Sequence, residues 1–430
     1  LIRACMVMRG GPATVGQDPG GQALAGGRGT RPSEAAPAHL RDALNPAHVP
    51  RWHVPSRTSN VISLLCDAFC MGSSHPSSDA FEFARGGGKR IVNFTVTNGC
   101  NASCVYCSFH RNRPFDTVAL DDARRAIDFL ADRGVGVLSL TGGEPFLNPE
   151  LPSIVRHAKG RGLIVLTGTN GSMLDESTLR ELRDAGLDAM WISYESADRE
   201  TFERNRGVPG LEDRIREGLQ ACADIGLRTF CIALINRSMG DVRPFCARLR
   251  DMGFTAVKFD YPMSFPLESS YLGWSDSPLL KLTGDEMERV VRQVIELKRE
   301  RGRRTLRVIN PVQGLLGAIE HYHGRAPAFR CTAGDKVLYM DTRLRLFRCT
   351  ARPDVLGEVG TDVHLGTVEC DRCYYQGVRD FDAFYYLLGG LEDALLQARS
   401  GRLRPAWDML GPRTMLALAD AWDIRTCGLV

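Results

Sequence analysis

Through the middle of the chain, short runs of nearly continuous apolar residues alternate with stretches of helical period. The runs Ile91–Val96, Val135–Leu140, Leu163–Thr167, Ala189–Ile192, Thr229–Ile235 and Ala256–Phe259 have the length and apolar density of buried strands. Between them, Leu120–Asp132, Leu151–Lys159, Asp175–Asp184, Leu211–Ile225 and Val242–Met252 repeat apolar residues three and four apart, as a helix with one buried face does. Strand then helix, repeated, predicts a parallel sheet with right-handed crossovers. The class is α/β, and six such strands predict a partial (β/α)6 barrel of the TIM type. Further on, Lys336–Arg348 alternates apolar and polar residues around Asp341-Thr-Arg343, the pattern of a β-hairpin.

The chemistry falls just past the ends of the first two strands, on the face where barrel enzymes keep their sites. Asn98-Gly-Cys-Asn-Ala-Ser-Cys-Val-Tyr-Cys-Ser-Phe-His110 puts Cys100, Cys104 and Cys107 into one short loop. That CX3CX2C spacing wraps three corners of a four-iron cluster and leaves one iron open for a substrate or cofactor. The competing reading is a structural zinc site, which wants four closed ligands; His110 is the nearby residue that could complete it. Behind the second strand, Thr141-Gly-Gly-Glu-Pro145 predicts a turn in which Gly142 and Gly143 let the backbone pass close to a ligand. There Glu144 would offer its carboxylate to a cation such as an amino group.

Together these two elements resemble the radical S-adenosylmethionine (SAM) superfamily, whose members pair a CX3CX2C loop with a Gly-Gly-Glu-Pro turn. The resemblance implies that Cys100, Cys104 and Cys107 hold a 4Fe-4S cluster and that SAM chelates its open iron. It further implies that Gly142, Gly143, Glu144 and Pro145 face SAM and that Tyr106 lies beside its adenine. Leu163–Gly171 is similar to the third strand and its Thr-Asn-Gly end, which brings in Asn170. Met190–Ser196 is similar to the fourth, where Ser193 matches while Glu195 stands in place of the usual Asp and Ser196 in place of the Gly. Asn205-Arg-Gly207 resembles the Arg-Gly turn, with Arg206 placed to pair with the SAM carboxylate, and Asn236 resembles the polar end of the fifth strand.

Cys331, Cys349, Cys370 and Cys373, spaced CX17C, CX20C and CX2C, form a second set. Four thiolates gathered by a hairpin and a CX2C turn make a closed metal site, for which zinc and an iron–sulfur cluster are both open from the chemistry alone. The arrangement resembles the twitch domain, the shortened relative of the SPASM domain, and that resemblance implies one auxiliary 4Fe-4S cluster. Cys222, Cys231 and Cys246 read as buried small hydrophobes.

The resulting organisation is a low-complexity segment at 1–70, the barrel at 88–265, a helical connector at 266–325, the twitch-like domain at 326–390 and a helical segment at 391–430. Gly10–Pro37 is rich in Gly, Ala, Pro and Arg without a hydrophobic period, and a reading-frame extension ahead of a start at Met71 is the expectation for 1–70. The net charge of +3 gives no electrostatic argument for nucleic acid. Lys298, Arg299, Arg301, Arg303 and Arg304 read as the solvated end of a helix begun near Thr283. No run reaches the length of a membrane span, and fourteen cysteines serving reduced thiolate chemistry suit the cytoplasm.

The expected activity is that of the family: reductive cleavage of SAM to a 5′-deoxyadenosyl radical that abstracts hydrogen from a small metabolite, for oxidation, epimerisation or rearrangement. The electron would come from a donor such as flavodoxin or ferredoxin. Maturation of a peptide by crosslinking, and a non-catalytic electron-transfer protein, are the alternatives. Tyr261, Phe265, Tyr271 and Trp274, after the last barrel strand, are candidates to line the substrate pocket.

Overall fold

A computed structural model describes residues 90–262, 277–300, 306–352 and 354–363, much of 365–382, and Asp420. The N-terminal segment, Phe265, Tyr271, Trp274, Arg301, Arg303, Arg304 and nearly all of 391–430 lie outside the described residues.

The six expected strands form, each within two residues of the sequence reading: β1 (Arg90–Thr97), β2 (Val135–Gly142), β3 (Ile164–Thr169), β4 (Ala189–Ser193), β5 (Thr229–Leu234) and β6 (Ala256–Asp260). They pair in parallel, in sequence order. Their crossovers carry α1 (Leu120–Ala131), α2 (Leu151–Gly160), α3 (Glu176–Asp184), α4 (Arg199–Arg206), α5 (Leu211–Asp224) and α6 (Val242–Met252). One face of the strands, including Val92, Phe94, Leu138, Leu140, Ile192 and Phe259, is buried with the apolar stripes of these helices. The other face is the inner one of the partial barrel.

The sheet continues past both ends of this unit. The connector contributes α7 (Gly284–Arg299), the two-residue strand β7 (Arg307–Val308), parallel to β6, and α8 (Val312–Tyr322). The hairpin appears as β8 (Val337–Met340) and β9 (Arg345–Phe347), followed by β10 (Val355–Glu358). Its turn is held by Asp341, whose Oδ1 accepts from the backbone of Arg343 and Arg345 at 3.0 and 2.9 Å. Rather than standing apart, β8 pairs in parallel with β1, giving a ten-stranded sheet. An open β1 edge would leave unpaired N–H and C=O groups, and β8 satisfies them. On the inner face, Ile91 and Val137 pack with Cys331, Ala333, Val337 and Val378, and Cys349 and Tyr375 lie against the same cluster.

Helix starts follow local chemistry: Asp175 and Asp198 accept from the N–H of Thr178 and Thr201, each at 2.9 Å, and Thr283 forms a capping box with Glu286. Before α8 stands Pro311, which has no capping side chain. Asp420 does the work from far along the chain, accepting from Val312 N at 2.8 Å while pairing with Lys298 at 3.2 Å. The Lys298 side chain is 6% exposed, not solvated as the basic run suggested, and the carboxylate and the Val308 carbonyl both hold it. Asp420→Ala removes a cap and one half of a buried ion pair, and is expected to cost about 3–5 kcal/mol. Urea unfolding at an unchanged midpoint would show that this tether does not stabilise the fold.

Candidate active site at the strand ends

The cysteine loop leaves the C-terminal end of β1 and is clamped from two sides by backbone. From one side, Gly143 N donates to Thr97 O at 3.0 Å and Glu144 N to Gly99 O at 2.8 Å. A Cβ on Gly142 would lie 2.1 Å from Thr97 O, and one on Gly143 2.0 Å from Gly99 O. In this structure the close approach that these glycines permit is therefore to the end of β1, at Gly142, and to the cysteine loop that leaves it, at Gly143. From the other side, Ser103 N and Val105 N donate to the carbonyls of Arg206 and Asn205 at 3.1 and 2.9 Å. Gly207, at φ +66°, ends α4 there, and a Cβ on it would strike Ser103 Oγ.

Glu144 is fully buried beneath the loop. Its carboxylate accepts from Asn170 N at 2.6 Å and Phe146 N at 3.2 Å, while burial pushes its pKa up to about 7. Pro145, also buried, opens the single 3-10 turn that follows. The Asn170 amide donates to Asn101 Oδ1 at 2.8 Å and to Cys100 Sγ at 3.9 Å, so the Gly-Gly-Glu-Pro turn, the end of β3 and the cysteine loop form one network.

A second network lies on the far side of the loop. Arg206 grips Glu195 with two donors, Nε to Oε1 at 2.8 Å and Nη2 to Oε2, and directs Nη1 to Cys104 Sγ at 3.8 Å. Tyr106 donates its hydroxyl to the same carboxylate, and its ring centroid is 5.5 Å from the guanidinium carbon. Asn236 fixes the backbone beneath, donating to the carbonyls of Glu195 and Leu234 at 3.3 and 2.9 Å and accepting from Ser238 N at 2.8 Å. Ser193, half-buried, ends β4. The sequence reading brought Glu195, Arg206 and Tyr106 to one region; it did not anticipate that they bond to one another.

Cys100 and Cys104 are buried and Cys107 is half-buried. Burial pushes Cys100 up to about 11 and Cys107 up to about 12, and raises Cys104 despite the neighbouring Arg206. Thiols so desolvated become thiolates only against a cation such as a metal centre, and they are met here by N–H donors suited to sulfur. The donor set thus fits a thiolate-held cluster. Among the described residues no group of three His, Cys, Asp or Glu side chains is arranged around a metal ion. His110, the residue that could have completed a zinc site, has a buried Nδ1 with no hydrogen-bond partner.

Residues 94–249, from within β1 to α6, match the sequence profile of the Radical SAM superfamily. The chain carries a radical SAM domain. Enzymes of that superfamily use a 4Fe-4S cluster and SAM. The chain is 34% identical over 133 residues to an AdoMet-dependent heme synthase of Methanosarcina barkeri, covering 30% of this chain and 38% of that one. It is 40% identical over 116 residues to a GTP 3′,8-cyclase of Chlorobaculum tepidum, covering 26% and 34%. The chain thus spans less than half the length of these curated relatives. Among solved structures, Streptococcus suis SuiB bound to S-adenosylmethionine shares the fold, with a TM-score of 0.51 at 14% identity over 77% of this chain and 78% of that one.

Beyond the radical SAM domain, a buried arginine holds part of the second cysteine set. Arg379 donates to the carbonyls of Cys373 at 3.2 Å, Cys370 at 3.1 Å and Phe329 at 3.0 Å, and to Asp382 at 2.9 Å. Asp382 in turn accepts from Thr332, next to Cys331, through N at 2.9 Å and Oγ1 at 2.7 Å. The sequence reading missed both residues, whose charges follow the CX2C turn at Cys370 and Cys373. Beside them an open cavity of about 450 Å³ is lined by Ala326–Arg330, Cys370 and Arg379.

Inside the barrel, the alternation along β6 places Lys258 and Asp260 on the same face as Ala256, which packs with Ala189, Phe230 and Ile309. Lys258 approaches Asp380 at 3.9 Å. Asp260, at the strand's C-terminal end, has a buried Oδ1 with no hydrogen-bond partner, and burial lifts its pKa to about 6. Burial holds the Tyr375 hydroxyl above its usual range, against a hydrogen bond with the Tyr339 hydroxyl at 2.7 Å.

Proposed function

We propose that Cys100, Cys104 and Cys107 ligate the cluster, and that the protein uses it with SAM to abstract a hydrogen atom from a small metabolite held in the barrel. The observation that carries this reading is the double backbone clamp on the cysteine loop, by the Gly-Gly-Glu-Pro turn and by the Asn205–Gly207 turn, at the C-terminal ends of the strands. When bound, the cluster and SAM supply one-electron reductive cleavage to methionine and a 5′-deoxyadenosyl radical. The chain orients and shields: Asn170 and Arg206 donate toward the sulfurs, and Glu144 holds the end of β3 against the loop. The electron comes from a low-potential donor such as a flavodoxin or ferredoxin, and Cys331, Cys349, Cys370 and Cys373 hold one auxiliary cluster.

A small-molecule substrate is favoured because the relatives named above are a heme synthase and a GTP cyclase. Asp260 supplies a further constraint. A buried carboxylate oxygen without a partner is costly, and a substrate ammonium, hydroxyl or amide hydrogen relieves that cost. Anaerobically reconstituted protein, reduced with dithionite in the presence of SAM, is expected to form 5′-deoxyadenosine. Full iron and sulfide with no cleavage would favour the non-catalytic electron-transfer reading. Asp260→Asn is expected to retain cluster content and substrate-free cleavage, and to lose the extra cleavage that a candidate substrate induces; wild-type stimulation in this variant would remove Asp260 from the substrate site.

A further inference from the structure

We infer that Glu195 is a positioning residue for the cysteine-loop cluster: it aims Arg206 so that one guanidinium donor serves the Cys104 sulfur, and it offsets the charge of that guanidinium. The inference rests on the proposed ligation by Cys100, Cys104 and Cys107.

Arg206 presents its donors in a rigid plane. Glu195 occupies the Nε and Nη2 edge, which leaves Nη1 directed to Cys104 Sγ at 3.8 Å. The pair is buried, with Glu195 at 0% and Arg206 at 8% exposure, so neither group is freely screened by water. Its orientation is fixed at several points. Tyr106 donates to the carboxylate, Asn236 donates to the Glu195 carbonyl at 3.3 Å, and the Arg206 carbonyl accepts from Ser103 N at 3.1 Å. Arg206 thus holds the cysteine loop by its backbone and addresses one of its sulfurs by its side chain. Both groups that the family resemblance assigns to SAM are already committed to each other.

Reduction adds one negative charge to a thiolate-ligated cluster, and its potential depends on hydrogen bonds to sulfur and on nearby net charge. The ion pair provides the hydrogen bond while contributing almost no net charge. Glu195→Gln keeps the shape but leaves the guanidinium uncompensated, which favours the reduced state. Arg206→Lys keeps a positive charge but loses the planar fork, and with it the aimed donor, which disfavours the reduced state.

The test is a redox titration of the reconstituted full chain without SAM, followed by electron paramagnetic resonance. The signal belonging to the loop cluster is the one missing from a variant with Cys100, Cys104 and Cys107 replaced by alanine. Glu195→Gln is expected to shift the reduction equilibrium upward about tenfold, which is about 59 mV for a one-electron couple. Arg206→Lys is expected to shift it downward, and SAM affinity in Glu195→Gln is expected to stay within about threefold of wild type. Unchanged potentials in both variants, with SAM affinity lost in Glu195→Gln, would overturn the inference and return Glu195 to SAM binding. If Glu195→Gln fails to fold, an unshifted Arg206→Lys alone overturns it. A loop that takes up no iron is recognised beforehand from metal content, and overturns the ligation reading on which the inference stands.

Discussion

Replacing Cys100, Cys104 and Cys107 together by alanine is expected to abolish 5′-deoxyadenosine formation while leaving in place the metal proposed for Cys331, Cys349, Cys370 and Cys373. The three thiols are desolvated by burial, and their loop and the strand end it leaves are bonded by backbone to Arg206, Asn205, Gly143 and Glu144. Those contacts survive truncation of three small side chains, so the loss falls on ligation and not on folding. Iron should drop from about eight to about four per chain if both sets hold four-iron clusters. Cleavage that persists in the triple variant would sink the assignment of this loop as the SAM site. Loss of all iron would mean that the second set depends on the first, which its separate scaffold of Arg379, Asp382 and Thr332 argues against.

The six barrel strands and their long helices were legible because burial on both faces writes a continuous apolar run, whereas a half-buried helix writes a 3.6-residue period. α4 was not. Arg199-Glu-Thr-Phe-Glu-Arg-Asn-Arg206 carries one large apolar residue, Phe202, and buries Asn205 and Arg206 instead, so it leaves no apolar stripe. Its local signals were the cap Asp198 and the left-handed Gly207. The extension of the sheet by β8 was hidden for a different reason, since pairing between residues near 92 and 338 leaves no trace in either local pattern. The same holds for the cap on α8, where a residue 108 positions away does what Pro311 does not.

At the site, residue types were legible and partners were not. A Gly-Gly-Glu turn after a strand announces close packing and a carboxylate. It does not announce that the packed surface is the cysteine loop or that the carboxylate takes the N–H of Asn170. Glu195 and Arg206 are complementary charges eleven residues apart, on a strand end and a helix end, with no spacing rule to connect them.

The second set turns on Arg379, and Arg379→Met is expected to empty it. Two of the four cysteines present their carbonyls to this one guanidinium, and a third, Cys331, is tied to it through Thr332 and Asp382. The Arg379–Asp382 pair is 2% exposed on each side, so methionine strands Asp382 as an unpaired buried carboxylate at a cost of about 3–5 kcal/mol. The damage is confined by topology. Cys331 and Val378 pack on the inner face beside Ile91 and Val137, whereas the cysteine loop is clamped by the Gly-Gly-Glu-Pro turn and the end of α4. Substrate-free 5′-deoxyadenosine formation should therefore persist in Arg379→Met while about half of the metal is lost. Elemental analysis of wild type and variant then identifies what the second set holds: iron and sulfide falling together fit an auxiliary 4Fe-4S cluster, and zinc lost with iron unchanged would make it a closed structural site. Full metal retention at wild-type stability would remove Arg379 from the centre altogether.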